Sequence, residues 1–317
     1  MTNGYDVIGD VHGSATKLEG LLGLMGYECS ADGVWGHPGG RIAVFVGDIV
    51  DRNEHQLRSL EIARSMVEAG TALMVLGNHE FNAICYATPA GDGHLRERNA
   101  KNSGQHQAFL AEIPADSTEH REWISWFRRL PLWLDLDGLR VVHACWSDAH
   151  IELLRTSLGG DALLDDAAVV LAGTRGTAEY DAIEVILKGP EVDLPERLWY
   201  LDKDGHLRKN ARYKWWGAGA MTLRDRAVFI PESKSPDGTK HPGFDDTPVP
   251  GSLPVPADGS PVIVGHYWNT GALALLAPRA ACVDYSAGNG GPLVAYRWSG
   301  EPDLDPTNFI AFPPLSS

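Results

Sequence analysis

The sequence predicts an α/β protein in which a parallel sheet is covered by a second sheet. Three observations carry that prediction. Residues 5–85 alternate short apolar runs with amphipathic helical stretches, the pattern of strand–helix–strand units with parallel strands. Three of those runs end alike, at Gly9-Asp10, Gly47-Asp48 and Gly77-Asn78. After a long stretch rich in Pro and Gly, the chain closes with several short strand-like runs around Ala287-Gly288-Asn289-Gly290-Gly291.

In chain order, Tyr5 to Ile8 reads as a strand. Ser14 to Met25 reads as a helix with Leu18, Leu21, Leu22 and Met25 on one face, and Ser14 as its cap. Arg41 to Val46 is a second strand. Glu54 to Ala69 is a second helix, stopped by Gly70, and Thr71 to Leu76 a third strand. From Tyr86 to Leu134 the chain looks mostly helical; Trp123, Trp126, Phe127 and Leu130 recur at helical spacing and read as core. Arg140 to Ala144 is a strand with His143 near its end. Leu163 to Leu171 and Tyr180 to Leu187 read as helices within an insertion at about 149–260, and Pro231 to Pro261 as a long loop. Pro261 to Gly265 is a strand ending at His266. Ala272 to Leu276, Ala281 to Asp284 and Leu293 to Arg297 are the closing strands, expected to be mainly antiparallel and to form the second sheet. The whole, residues 1–317, reads as a single domain.

Composition narrows the classes. A net charge of −15 disfavours nucleic acid as a partner, because affinity for phosphate backbones comes from Lys and Arg. It would also repel a phosphorylated substrate unless bound divalent cations compensate. Cys29, Cys85, Cys145 and Cys282 are widely spaced, form no CxxC, and read as buried free thiols. The N-terminus lacks the basic and apolar regions of a signal peptide, and no apolar run is long enough to span a membrane. The expected address is the cytoplasm. Nothing in the sequence fixes an oligomeric state.

Asp10, His12, Asp48, Asn78, His143 and His266 are oxygen and nitrogen donors at predicted strand ends. In open parallel sheets ligands bind beyond the carboxyl ends of the strands, so these side chains should converge. A mixed carboxylate, imidazole and amide set suits borderline divalent ions such as Mn, Fe or Zn, and two ions can share one carboxylate. Arg52 offers a planar fork matching phosphate oxygens. His79, beside Asn78, suits protonation of a leaving alkoxide, with Asp51 to orient it. Singly, each residue has a blander reading: His143 as a satisfied buried histidine, Asp51-Arg52 as a surface pair. Gly-Asp-x-His-Gly, Gly-Asp-x-x-Asp-Arg and Gly-Asn-His-Glu in order, each closing an apolar run, outweigh those readings together.

These motifs, with His143-Ala144, Gly265-His266 and the stretch Cys282-Val283-Asp284-Tyr285-Ser286-Ala287-Gly288, resemble the calcineurin-like metallophosphoesterases. Within them the resemblance is to the phosphoprotein-phosphatase branch, which includes bacterial symmetrical diadenosine tetraphosphatases. It covers about residues 5–85, 139–147 and 261–298. It implies a two-sheet β-sandwich flanked by helices, in α-β-β-α layers. It implies two divalent metal ions, Mn first and Fe or Zn as alternatives. Asp10, His12 and Asp48 would hold the first ion, with Asp48 bridging; Asn78, His143 and His266 would complete the second. His79 with Asp51 would be the general-acid pair, and Arg52 and Asn78 would hold the phosphate. A metal-bridging hydroxide would attack phosphorus without a covalent intermediate. Asn53 and Cys145 stand where the family commonly has Gly. Arg212, in the basic and aromatic run Arg208 to Trp216, is the candidate for a second phosphate-binding arginine, against a solvated basic turn. The expected activity is hydrolysis of a phosphate monoester on a protein or small molecule. The alternatives are a symmetrical dinucleoside tetraphosphatase, a phosphodiesterase and, remotely, a non-catalytic binding module.

Overall fold

The computed structural model describes residues 3–202, 205–217, 221–228, 233–250 and 259–313, and the chain divides into two compact units, 1–188 with 259–317, and 189–258. In the first unit two sheets face each other. The larger has the strand order Phe309–Phe312, Leu293–Trp298, Tyr5–Ile8, Ile42–Phe45, Ala72–Met74. The last three are mutually parallel, while Leu293–Trp298 runs antiparallel to both Tyr5–Ile8 and Phe309–Phe312. The smaller has the order Ala280–Cys282, Val262–Val264, Leu139–Val142, Trp133–Leu136, parallel except for the last pair.

Alternation along each strand builds the core between the sheets. Val7, Val44, Val294 and Tyr296 from the larger sheet cluster with Leu139, Val141, Ile263 and Ala281 from the smaller. The outer face of the larger sheet is covered as well: helix Ala15–Leu24 packs on strands Leu293–Trp298 and Phe309–Phe312, and helix Gln56–Glu68 on Ala72–Met74. With both faces covered, Val7, Ile8, Val44 and Phe45 are all fully buried, which is why these strands read as continuous apolar runs. Next to the smaller sheet, helices Asp148–Leu158 and Ala178–Lys188 pack together. The Arg155 guanidinium lies over the Trp133 ring, and the Ile186 carbonyl accepts the Ala144 and Cys145 amides. Layers of helix, sheet, sheet and helix result. Trp123, Trp126, Phe127 and Leu130 are buried, and helix Thr118–Phe127 starts at a Ser117 side chain that accepts the His120 amide.

Several expectations change. The closing strands do not form one antiparallel sheet: Val262–Val264 and Ala280–Cys282 are parallel members of the smaller sheet, and Leu293–Trp298 crosses to the larger. Ala272 to Leu276 contains no strand. Strands Trp133–Leu136 and Phe309–Phe312 were not foreseen. Ser14 makes no side-chain cap, because its hydroxyl accepts the Asn53 amide group at 2.9 Å. Cys29 is exposed, whereas the other three free cysteines are buried. Helices Asp166–Gly173 and Ala178–Lys188 belong to the first unit, and the second unit begins at Gly189.

Within the second unit, strand Glu191–Asp193 pairs antiparallel with Asn210–Arg212, and Tyr200–Leu201 with Leu207–Arg208. Tyr213, Trp215, Leu198 and Leu223 are buried there. No named helix or strand falls in 233–250; residues 231, 232 and 251–258 of the expected long loop lie outside the described residues.

Candidate metal centre

Every first-unit donor singled out above sits just past a strand end, on one edge of the sandwich. Asp10 follows Tyr5–Ile8, Asp48 follows Ile42–Phe45, and Asn78 opens helix Asn78–Ala87 after Ala72–Met74. His143 follows Leu139–Val142 and His266 follows Val262–Val264. Glycine makes this convergence feasible. Gly47 has φ +94°, and a Cβ there would strike the Gly77 backbone; a Cβ on Gly9 would strike the Val283 carbonyl. Five functional candidates also adopt left-handed backbone: His12 (φ 49°), Asp48 (53°), Asp51 (70°), Arg52 (79°) and His266 (69°).

Asp48 is the centre. Its Oδ2 lies 3.4 Å from His143 Nε2, 3.8 Å from His12 Nε2 and 3.9 Å from His79 Nε2. Its Oδ1 accepts the His79 amide at 2.9 Å. Ligand atoms of His12, Asp48 and His79 lie within 4.8 Å of one another, and so do those of Asp48, His143 and His266. One carboxylate therefore belongs to both groups. Asn78 Oδ1 lies 3.1 Å from His143 Nε2, and Asp10 accepts the His266 amide at 3.1 and 3.3 Å.

The ring tautomers follow from backbone partners. His12 Nδ1 lies 2.8 Å from the Val50 carbonyl and His143 Nδ1 2.7 Å from the Val46 carbonyl. A carbonyl only accepts, so both Nδ1 atoms carry the proton. In the neutral His12 ring Nε2 then presents a lone pair toward Asp48, the arrangement of a metal-binding imidazole tied down behind. For His143 burial acts downward but the Asp48 charge outweighs it and raises its value, so its Nε2 would present a lone pair once a bound cation displaces the proton. Burial, helped by the His79 charge, takes the His12 imidazole down to about 4, so it is neutral at pH 7. Burial, with the Asp284 and Asp48 charges, pushes the Asp10 carboxyl well above the usual carboxylate range. Burial would raise the Asp48 carboxyl too, but the charges of His143 and His79 hold it well below its ordinary value. Crowded buried carboxylates and inward-facing imidazole lone pairs are a donor set that a divalent cation completes.

Asp51 and His79 form a separate feature beside it. Asp51 Oδ2 accepts from His79 Nδ1 at 2.6 Å. Burial would raise the Asp51 carboxyl, but hydrogen bonds from His106 and His79 take it down to about 2. For His79, burial acts downward and is outweighed by the Asp48 charge and the Asp51 bond, so its value rises. Arg52 is exposed, and its guanidinium has no hydrogen-bond or ion-pair partner among the described residues. Arg212 lies in the second unit, opposite Glu191 in a strand pair, and is half-buried there.

Sequence reasoning missed Glu80, His106, Gln56 and Asp284. Glu80 Oε2 accepts the Asp48 and Gly77 amides at 2.8 and 3.1 Å, and Oε1 the Ile49 and Val50 amides at 2.8 and 3.2 Å. Gln56 accepts the Asp51 amide at 2.6 Å. Asp284 accepts the Trp268 and Ser286 amides at 2.6 and 2.9 Å, shaping the loop after His266. Glu80 carried a signal, as the last residue of Gly77-Asn78-His79-Glu80; His106 carried none.

The fold and the donor set define a metallophosphoesterase centre. The chain belongs to the calcineurin-like phosphoesterase family, whose model matches residues 5–194. An asymmetrical bis(5'-nucleosyl)-tetraphosphatase PrpE from Halalkalibacterium halodurans is 44% identical over 147 residues, covering 44% of this chain and 56% of that protein. The PrpE of Oceanobacillus iheyensis, with the same description, is 30% identical over 139 residues, 44% of this chain and 54% of that protein. The match thus spans about half the length of these curated relatives. A protein serine/threonine phosphatase from Saccharomyces cerevisiae shares the fold, with a TM-score of 0.50 over 99% of this chain and 80% of that one, at 14% identity. No helix among the described residues is long and apolar enough to cross a membrane.

Proposed function

We propose that this protein is a metal-dependent hydrolase that cleaves a phosphoanhydride bond of a dinucleoside tetraphosphate. The observation that carries the hydrolytic reading is the Asp48 carboxylate, shared between two groups of ligand atoms. The substrate class rests on the PrpE relatives, whose tetraphosphatase names favour the anhydride over the monoester. We assign Asp10, His12, Asp48, Asn78, His143 and His266 as the residues that hold two divalent ions, with Mn first among them. Ions held there supply Lewis acidity and an acidified water.

The chain's own groups do the rest. The Arg52 guanidinium, exposed at the same edge and without a partner among the described residues, takes two oxygens of the reacting phosphate as a fork, and the Asn78 amide group a further one. His79 keeps its Nδ1 proton on Asp51 and offers the Nε2 proton to the leaving oxygen as the P–O bond breaks. The four free thiols fit a reducing cytoplasm.

The test is turnover of Mn-loaded protein on diadenosine tetraphosphate, a phosphopeptide and a phosphodiester, with nucleotide products separated by chromatography. ATP with AMP marks asymmetrical cleavage, as the relatives are described, and two ADP symmetrical cleavage. Metal-loaded, folded protein that hydrolyses the phosphopeptide but not the dinucleotide overturns the substrate; no turnover on any of them overturns the activity.

A further inference from the structure

We propose that His106 is a positioning residue for the proton donor, the far member of a His79–Asp51–His106 chain. It rests on the acid role assigned to His79 above. Asp51 gives one oxygen to each histidine: Oδ2 lies 2.6 Å from His79 Nδ1, and Oδ1 lies 2.7 Å from His106 Nδ1. An ionised carboxylate only accepts, so both Nδ1 atoms carry protons, and each ring's tautomer is fixed by the same group. The carboxylate torsion of Asp is soft and roughly two-fold. With one partner, either oxygen could serve His79 and its ring would follow the rotation. With a histidine on each oxygen, the carboxylate plane is pinned.

His106 is itself held firmly. It is 4% exposed and stacks on Phe109, with ring centroids 4.8 Å apart, while Tyr86 meets its edge at 5.6 Å. Its Nε2 is buried with no hydrogen-bond partner among the described residues. A buried ring nitrogen without a partner carries a desolvation cost. The ring therefore sits where its other nitrogen serves Asp51, not where both nitrogens are satisfied. Asp51 is clamped on its backbone as well, through its amide to Gln56. Among the described residues, the charged and titratable groups around the chain include His12, Arg52 and Asp48 beside His79, Arg96 near Asp51, and His120 and Tyr86 near His106. None of them replaces a hydrogen bond to Asp51 Oδ1.

His106→Phe keeps the ring stack and removes the donor; His106→Asn restores an N–H close to the Nδ1 position. In wild type, proton spectra of the full chain should contain two downfield, slowly exchanging imidazole N–H signals from His79 and His106, beside those of the carbonyl-bonded His12 and His143 rings. His106→Phe should lose one and bring the other, from His79, into rapid exchange, while His106→Asn should retain it. With Mn-loaded enzyme of unchanged metal content, His106→Phe should lower kcat on the dinucleotide about 10- to 100-fold with KM steady, and His106→Asn should recover most of it, since a positioned acid contributes at least that much. An unaltered His79 signal in His106→Phe, or equal loss in both variants, overturns the inference. His79→Ala separates the two readings. If that variant keeps full turnover, the acid assignment fails. If it is slow while His106→Phe is fast, only the positioning role fails.

Discussion

Replacing Glu80 with Gln exchanges one carboxylate oxygen for an amino group at nearly constant size. The buried Glu80 carboxylate joins two segments: Oε2 takes the amides of Asp48 and Gly77, and Oε1 those of Ile49 and Val50. Whichever oxygen is lost, two amides lose their acceptor and face N–H groups instead. Each stranded buried donor costs about 1–3 kcal/mol, so the substitution should destabilise by about 2–6 kcal/mol. The damage should reach the metal centre, because those amides fix the turn carrying Asp48 and the start of the helix carrying Asn78. Urea unfolding at pH 7 gives the stability change from the shift in midpoint at constant slope, and metal analysis gives occupancy. A variant within about 0.5 kcal/mol of wild type, the scatter of surface substitutions, with full metal content would refute this account of Glu80.

Four further outcomes are expected. Gly9→Ala should prevent accumulation of folded protein, because its Cβ meets the Val283 carbonyl; Gly23→Ala, in open space on an exposed helix face, should stabilise by up to about 1 kcal/mol in the same urea assay. Burial and the His106 charge take His120 down to about 4, so the unfolded chain binds more protons between that value and about 6.5. Stability from this group is therefore complete above about 6.5 and declines as pH falls toward 4, and His120→Gln should flatten that decline in a series of melts. Arg52→Gly should raise KM for the dinucleotide while leaving metal content unchanged.

Much of the centre was legible because the strands leading to it are buried on both faces. Val7-Ile8, Val44-Phe45 and Val75-Leu76 are all buried, so their apolar runs were plain and their ends sharp. The Gly-Asp and Gly-Asn pairs then stood out as breaks. What the sequence could not carry was pairing. Leu293–Trp298 looks like any alternating strand, and only tertiary contacts place it beside Tyr5–Ile8 instead of in the smaller sheet. His106 was illegible for a similar reason. It lies between two short helices in a polar stretch, and its meaning depends on an Asp51 that is distant along the chain. Glu80 was visible as a motif residue, but its partners are backbone amides, which leave no mark in side-chain patterns.

On the roles proposed above, the left-handed backbone at His12, Asp48, Asp51, Arg52 and His266 sets heat resistance against turnover. Glycine adopts that conformation freely, whereas other residues are held in it at about 1–2 kcal/mol each. Arg52 shows the conflict most simply, since its exposed side chain has no partner among the described residues to lose. Variants selected for thermal tolerance alone should drift toward glycine there and shed the guanidinium. Selection for hydrolysis should keep arginine and accept the strained turn. That edge is thus where directed evolution for robustness would first erase the proposed activity.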